Sequence, residues 1–456
     1  MESTFKTLMR AALLGPFAAA LLAAASVCRA AGTPPSATLD LGRALAEAQA
    51  NSPEVGRLRA ALSAAGWQKL EALSAYLPHL GLHASQTLDQ RYLYLGVLFG
   101  PAATNFPEAF PSSVLDLNAS WTFFDGLEGF RSMQAADLAD QAAALDLKDV
   151  RFRLDHEVRL RYDQALAAQA MDDVAVQDIA TLQQHLDIAT ASLDSGLATR
   201  FDVLRVQAKL EDARAEKVMD DDNVALTRQA LAEAMGLTRD ARVLGGSLPV
   251  PDPALVAGVD GSAPSRRLDL KALQLRRDSA EKRAAAASAF WFPRLSVFGT
   301  DEFYHYDSYD PAILSTNGYQ TDYTVGLNLD WDLFDGGLSL ARQAQARQEA
   351  REAAQVQRQA ELEAPLRIDT WKRRYLYNST LYQAKLRGLE ESQESVRLAS
   401  LGLKAGTLTT SEDLDAELDL FLARAGLVQA QMGAAEALIN LELALGEDLA
   451  PAGTGR

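Results

Sequence analysis

The residues best able to do chemistry are few. His79, His83, His156, His185 and His305 are the five histidines. None stands in a His-Glu-x-x-His pattern. The step from His79 to His83 follows Pro78 in an alternating stretch, where four-residue spacing does not make a chelating face. The lone cysteine, Cys28, is too little for a thiolate zinc site or a disulfide framework. Neither a P-loop nor a dinucleotide glycine pattern occurs, and no serine sits in a nucleophile elbow. Asp125-Gly126 and Asp335-Gly336 read as strand-to-helix turns. No catalytic residue, metal or cofactor is expected.

What remains is the chemistry of helix turns. Ser195-Gly196-Leu197-Ala198-Thr199 and Ala405-Gly406-Thr407-Leu408-Thr409 are matching turns: glycine takes the left-handed conformation, and Thr199 or Thr409 caps the helix that follows. Glu412 and Asp415 come just after the second turn, spaced i,i+3, and so share one helix face. Acids in a first turn also complement the helix dipole, and Asp202 and Asp413 fit that simpler role equally well.

The elements that position these turns are written twice. Trp121-Thr122-Phe123-Phe124-Asp125-Gly126 recurs as Trp331-Asp332-Leu333-Phe334-Asp335-Gly336. The same shift pairs Gly196 with Gly406, Thr199 with Thr409, Leu204 with Leu414 and Gly236 with Gly446. Pro78 and Pro293 each end a helical stretch, because proline cannot continue a helix. Beyond them the apolar period changes from about 3.6 to 2. Leu115, Leu117, Ala119, Trp121 and Phe123 alternate with polar residues, as do Tyr323, Val325, Leu327, Leu329, Trp331 and Leu333. The stretch from Leu295 to Tyr304 is less regular, with Gly299 and Asp301 on the apolar side. Such strands fit either a half-buried sheet in a soluble sandwich or a transmembrane barrel wall with one face on lipid. Trp121 and Trp331 lie at strand ends, where membrane-interface aromatics belong. Four strands cannot close a barrel, and an open edge is not tolerated in lipid, so the barrel reading requires several chains.

The helices decide between the two. From Leu127 to Ser195 there is no proline, and roughly 65 residues at ~1.5 Å each make a rod near 100 Å, far beyond a soluble domain's usual helix. Leu138, Leu145 and Phe152 keep the seven-residue spacing of a left-handed coil. A returning helix runs to Met235, before Gly236. The second half repeats the pattern, except that Pro365 predicts a kink or break in its long helix.

Composition agrees. Hydrophobic residues make up 48 % of the 456-residue chain, enough for a large core. The formal net charge of -17 argues against a sequence-independent grip on nucleic acid. The first 30 residues read as an export signal: Lys6 and Arg10, an apolar stretch to Val27, and a small-residue end at Ala30. A lipid on Cys28 is the weaker alternative, because Val27 is bulky for the residue before a lipidated cysteine.

The chain thus divides into a signal peptide (1–30), a first repeat (31–236), an inter-repeat linker (237–264), a second repeat (265–446) and a tail (447–456). In the first repeat, strands fall at about 80–95 and 114–124, with long helices at about 127–195 and 200–235. In the second, strands fall at about 294–304 and 322–334, with helices at about 337–404 and 410–445.

These features resemble the TolC-type outer-membrane efflux protein family, the outer membrane factors, over nearly all of the chain after the signal. The marks are the doubled architecture, Trp-x-x-Phe-Asp-Gly at each junction, and the stretch from Gly196 to Gln207 with its looser copy from Gly406 to Ala416. The resemblance implies an α+β membrane protein of the bacterial outer membrane. Three copies would pool four strands each into a twelve-stranded β-barrel, continued by a long α-helical coiled-coil tunnel in the periplasm. It implies three partners besides outer-membrane lipid: a homotrimer, a periplasmic adaptor (membrane fusion protein) and an inner-membrane pump. The adaptor would dock at the helix tips, on Gly196, Leu197, Thr199, Gly406, Thr407 and Thr409. Glu412 and Asp415 match an acidic pair common in the family; three-fold symmetry would make them two carboxylate rings in the pore, with Asp202 nearby. Leu403 and Leu408 flank the second turn without a donor for a polar latch, which points to an apolar constriction as the gate. The expected function is a passive duct for small molecules, such as drugs or toxic compounds. A type I protein-secretion channel is the alternative within this architecture. A coiled-coil adhesin or fibre without a pore is the alternative outside it, disfavoured by the alternating strands.

Overall fold

The structure is a computed structural model describing residues 38–88, 94–99, 102–107, 111–196, 198–259, 266–305 and 319–449. The export signal with Cys28, and Leu197 of the first turn, lie outside the described residues. Repeat 1 comprises α1 (Leu41–Asn51), α2 (Pro53–Ser74), β1 (His79–Gln86), β2 (Tyr94–Phe99), β3 (Ala102–Pro107), β4 (Ser113–Phe124), α3 (Glu128–Asp194) and α4 (Arg200–Ala234). Repeat 2 comprises α5 (Leu268–Ala286), β5 (Arg294–His305), β6 (Gln320–Asp330), α6 (Leu338–Lys404) and α7 (Thr410–Leu445). The break between α1 and α2 falls at Pro53, which lacks an N–H to donate, and the Ser52 hydroxyl restarts the helix by accepting from Val55 N.

Four strands form one antiparallel sheet in the order β1-β4-β5-β6, and β2 and β3 form a separate hairpin. This hairpin occupies most of the interval between the two strands expected in the first repeat. The strand expected over 80–95 stops at Gln86. Its ladder with β4 ends at Gln86↔Ser113, followed by one bond from Thr87 N to Ser112 O; the next residue of the partner strand, Pro111, has no N–H to continue it. The strand expected over 322–334 covers Gln320–Asp330 instead. Its last pair is Arg294↔Asp330, and Pro293 before Arg294 again ends the ladder. Trp331 thus follows β6 rather than belonging to it.

Register puts most apolar residues of the four strands on one face, with Val114, Phe298 and Tyr304 on the other. Leu82 stands opposite Leu117, Trp121 opposite Val297, and Val297 opposite Leu327. Asp301 does fall on this face, between Leu117 and Tyr323.

Among the helices, α3 packs on α1, α2, α4, α5 and α7, and α6 packs on α5 and α7. The row on α3 that is fully buried at seven-residue spacing is Ala135, Ala142, Asp149, His156 and Asp163. Leu138, Leu145 and Phe152 are only half-buried. Pro365 does not break its helix: α6 runs unbroken through it. Ala364 and Ile368 on either side are completely buried, so packing holds the backbone where proline removes one hydrogen bond. Part of the inter-repeat linker is also structured. Pro253–Val256 forms a 3-10 turn, Val256 enters an apolar cluster with Ile368, Tyr375, Ala434 and Leu441, and the Tyr375 hydroxyl donates to Asp252 O at 2.9 Å. A separate small unit joins Leu39 to residues 241–245, where Leu39 N donates to Val243 O at 2.8 Å and Leu39 O accepts from Gly245 N at 2.9 Å.

The strand-to-helix junctions explain the repeated Asp-Gly. Asp125 Oδ2 accepts from Gly129 N at 2.7 Å and Asp335 Oδ2 from Ser339 N at 2.8 Å, each closing the first turn of a long helix. Hydrogen bonds from the Ser339 side chain and backbone hold the Asp335 carboxyl below the usual carboxylate range. Gly126 and Gly336 both have positive φ, but the next position differs: Gly337 has φ 90° where Leu127 has φ 69°. Leu127 is the one non-glycine with positive φ among the described residues, and a left-handed leucine is strained by about 1–2 kcal/mol. Leu127→Gly is therefore expected to raise stability by up to about 1 kcal/mol, the gain being offset in part by a more flexible unfolded chain. The reverse change, Gly337→Leu, should lower it. Melting midpoints of the detergent-solubilised protein check both; a destabilised Leu127→Gly would contradict the strain.

Candidate functional site

Two features have no satisfied partner within one chain. The first is the sheet. Among the described residues, β1 and β6 each pair on one side only. Leu80, Leu82, Leu115, Leu117, Trp121, Tyr323, Val325, Leu327 and Leu329 are all exposed, with Leu80 at 75 % and Leu327 at 77 %. Burying a large apolar side chain is worth about 1.5–3 kcal/mol, so this face forgoes on the order of 10–15 kcal/mol in water. That rivals the whole stability of an ordinary domain. Such a face requires an apolar surrounding, while the opposite face carries His79, His83, Asp116, Asn118, Thr300, Thr324 and Asn328. Among the described residues no helix is long and apolar enough to cross a membrane. At the sheet's helical end, Trp121 Nε1 donates to Tyr76 O at 2.9 Å, fixing the ring beside the end of α2. Trp331 is half exposed and lines a cleft of about 430 Å³ with Phe290, Phe292, Arg294 and Arg342.

The second feature is the pair of helix tips. Gly196 has φ 77° and Gly406 φ 70°, and among the described residues nothing beyond the chain neighbours lies within 4 Å of where a Cβ would stand on either. Each turn is followed by a complete capping box. Thr199 N and Oγ1 donate to Asp202 Oδ2 at 2.9 and 2.7 Å, and Asp202 N returns a bond to Thr199 Oγ1. Thr409 N and Oγ1 donate to Glu412 Oε2 at 2.8 and 2.9 Å, with Glu412 N returning to Thr409 Oγ1. The bonds from Thr199 hold Asp202 below its ordinary pKa, and those from Thr409 do the same for Glu412. Thr407 Oγ1 donates to Gly402 O at 3.1 Å, and Leu408 packs onto Gly402, where any side chain would collide with it. Leu403 is half-buried. Glu412 and Asp415 do not converge within one chain: Glu412 closes its own cap, while Asp415 reaches Arg205 of α4 at 3.7 Å.

Two buried ionic clusters escaped the sequence reading. Glu442 of α7 is completely buried; its Oε2 accepts from Arg159 Nη1 at 2.8 Å and lies 3.2 Å from His156 Nε2, and its Oε1 accepts from Leu449 N at 3.0 Å. Asp448 completes this group, 3.3 Å from His156 Nε2. His156, Glu442 and Asp448 are close enough to hold a metal ion, but the Arg159 guanidinium already supplies the counter-charge. The second cluster joins His185 of α3 to Asp413 and Glu417 of α7, at 3.3 and 3.6 Å. Beside it Leu414 enters an apolar group with Leu182, Val206 and Leu210 of the first hairpin. Each cluster links the two repeats, so no local spacing announces it.

An antiparallel four-stranded sheet with a lipid-compatible face, continued by two 67-residue helices that each pack against a returning helix, defines the class: an outer-membrane channel subunit. The chain belongs to the outer membrane efflux protein family, whose pattern it matches over residues 44–237 and 261–447. It is similar to outer membrane protein TolC of Vibrio cholerae, 26% identical over 419 residues, covering 88% of this chain and 89% of that one. Protein CyaE of Bordetella pertussis is 27% identical over 331 residues, covering 67% of this chain and 63% of CyaE. Among solved structures, the outer membrane protein VceC of Vibrio cholerae superposes with a TM-score of 0.74 at 18% identity, over 90% of this chain and 97% of that one. The outer-membrane channel OprN gives 0.72 at 21% identity, over 90% of both chains. The place of this protein is accordingly the bacterial outer membrane, with a periplasmic extension formed by its long helices.

Proposed function

We propose that three copies of the chain form the outer-membrane exit duct of a tripartite export system, joined through a periplasmic adaptor to an inner-membrane pump. The observation that carries this is the sheet with both edges open and one apolar face exposed. Three such sheets, edge to edge, remove every free edge and place the polar faces around a wet lumen. The outer membrane lipid covers the apolar face, with Trp121 and Trp331 at its boundary. The duct carries out no reaction. Its cargo is small molecules; a toluene efflux pump outer membrane protein of Pseudomonas putida, TtgF, is 26% identical over 42% of this chain.

In this reading the helix tips are the gate and the docking surface. Gly196, Leu197, Thr199, Gly406, Thr407 and Thr409 present the turns to the adaptor. Asp202, Glu412 and Asp415 bring negative charge to the pore entrance, and Leu403 and Leu408 narrow it. The adaptor binds the open arrangement better and shifts the population toward it.

Planar-bilayer recordings test this reading. Ion-conducting steps with a preference for cations are expected from the full-length protein. Asp415→Ala should reduce that preference and weaken block by multivalent cations, because carboxylate rings attract them. Glu412→Ala should do so less cleanly, since it also removes a cap worth about 1 kcal/mol. Absence of conductance would overturn the channel; unchanged selectivity in Asp415→Ala would place that residue outside the pore.

A further inference from the structure

The His185 cluster lies on the seam between the two helix hairpins, close to their tips. His185 on α3 holds two acids of α7 at once: Nδ1 is 3.3 Å from Asp413 Oδ2, and Nε2 is 3.6 Å from Glu417 Oε1. Asp413 is almost completely buried, and neither of its carboxylate oxygens has a hydrogen-bond partner. Asp178, two turns back on α3, faces Glu417 of α7 and Glu216 of α4. Buried charge is costly unless compensated, so this seam depends on the protons it holds. Arg205 of α4 and Asp415 of α7 form a second ion pair across the same seam, at 3.7 Å.

We propose that His185, Asp413, Glu417 and Asp178 form a proton-operated tether between the two hairpins, closed in acid and released toward alkaline pH. The direction follows from every charged group facing the cluster. α3 contributes Asp178 and His185, α4 contributes Glu216 and Lys209, α6 contributes Lys404, and α7 contributes Asp413, Glu417 and Arg424. Glu417 and Asp413 raise the pKa of His185 against the opposing effect of burial. Burial raises Asp413, and burial with Glu417 and Glu216 pushes Asp178 up to about 6, against the weaker pull of Arg424 and Lys209. A histidine with a raised pKa stabilises the closed seam fully below its ordinary 6.5 and loses that contribution as pH rises through the raised value. A buried acid with a raised pKa opposes closure increasingly as pH rises from its ordinary value to the raised one, so for Asp178 the penalty builds between 3.8 and about 6 and is complete above that. All of them favour the closed seam in acid.

The tether rests on the proposed tip gate for its functional meaning, so the test reads structure and conductance separately. Nitroxides at Asp187→Cys on α3 and Asp419→Cys on α7, both exposed positions, report the hairpin separation in the full-length protein in lipid nanodiscs. The separated population should grow as pH rises from about 4 to 8.5, by up to about tenfold for each unit by which a group's pKa differs between the two arrangements. Channel opening in bilayers should rise over the same window. His185→Gln should remove the upper part of this change and leave the part below about pH 6, and Asp178→Asn should do the reverse. If His185→Gln does not assemble, Glu417→Gln should weaken the upper part instead. A pH-independent separation in the parent protein, or an unchanged profile in both histidine and glutamate variants, overturns the tether. A pH-dependent separation without conductance at any pH upholds the tether and overturns the duct.

Discussion

Glu442→Ala is expected to be among the most destabilising single changes in the helical part, costing about 3–5 kcal/mol. Glu442 is completely buried and holds Arg159 and His156 of α3 together with the backbone of Leu449. Burial by itself would raise its pKa, but His156 and Arg159 more than offset that and leave the carboxyl below its ordinary value. The contribution is therefore present above the ordinary 4.5 and fades as pH falls through the depressed value. Removing the carboxylate leaves the Arg159 charge in a site built to neutralise it, which is why the loss exceeds that of an exposed ion pair. A drop of about 5 °C or more in the melting midpoint of the solubilised protein is expected at neutral pH. Glu442→Gln, which keeps an acceptor for Leu449 N, should fall between the two. A midpoint within about 1 °C of the parent in Glu442→Ala would mean that the cluster contributes nothing to the joining of the repeats.

A glutamate in place of Gly196 or Gly406 should nearly abolish export while leaving the protein assembled in the membrane. Both glycines adopt the left-handed conformation with open space around them, so the new side chain strains the turn by about 1–2 kcal/mol without disturbing any core. Its charge and bulk project from the surface where the adaptor is proposed to dock. Asparagine tolerates the left-handed conformation, and Gly196→Asn should retain most activity. Cargo efflux and oligomer content, measured on the same membranes, separate the two effects. Normal efflux in both glutamate variants would remove the docking role from the tips.

Much of this architecture is legible in the sequence because it is periodic. The doubled Trp-x-x-Phe-Asp-Gly, the alternation in β4 and β6, and the Gly-to-Thr spacing at both tips each reflect a local rule, and the capping boxes at Thr199 and Thr409 follow directly. Strand ends are less legible, since they depend on the partner: Pro111 and Pro293 end ladders for β1 and β6 from across the sheet. The break that Pro365 allowed for does not occur for a related reason, because packing around Ala364 and Ile368 carries the helix through. The buried row on α3 escapes a search for leucines because it consists of alanines, aspartates and a histidine. The two ionic clusters are hidden most deeply. His185 meets Asp413, and His156 meets Glu442, only when the two repeats lie side by side.

Inter-subunit cysteine cross-linking tests the pooled sheet most directly. Single cysteines along the free edge of β1, from Leu80 to Ser85, combined with one on β6 between Tyr323 and Leu329, should bridge neighbouring copies where the Cα atoms come within about 4.4–6.8 Å. The account predicts that at least one pair gives covalent dimers and trimers, with nothing larger, in outer membranes. A protein that stays monomeric and dissolves without detergent, with no pair cross-linking, would contradict it.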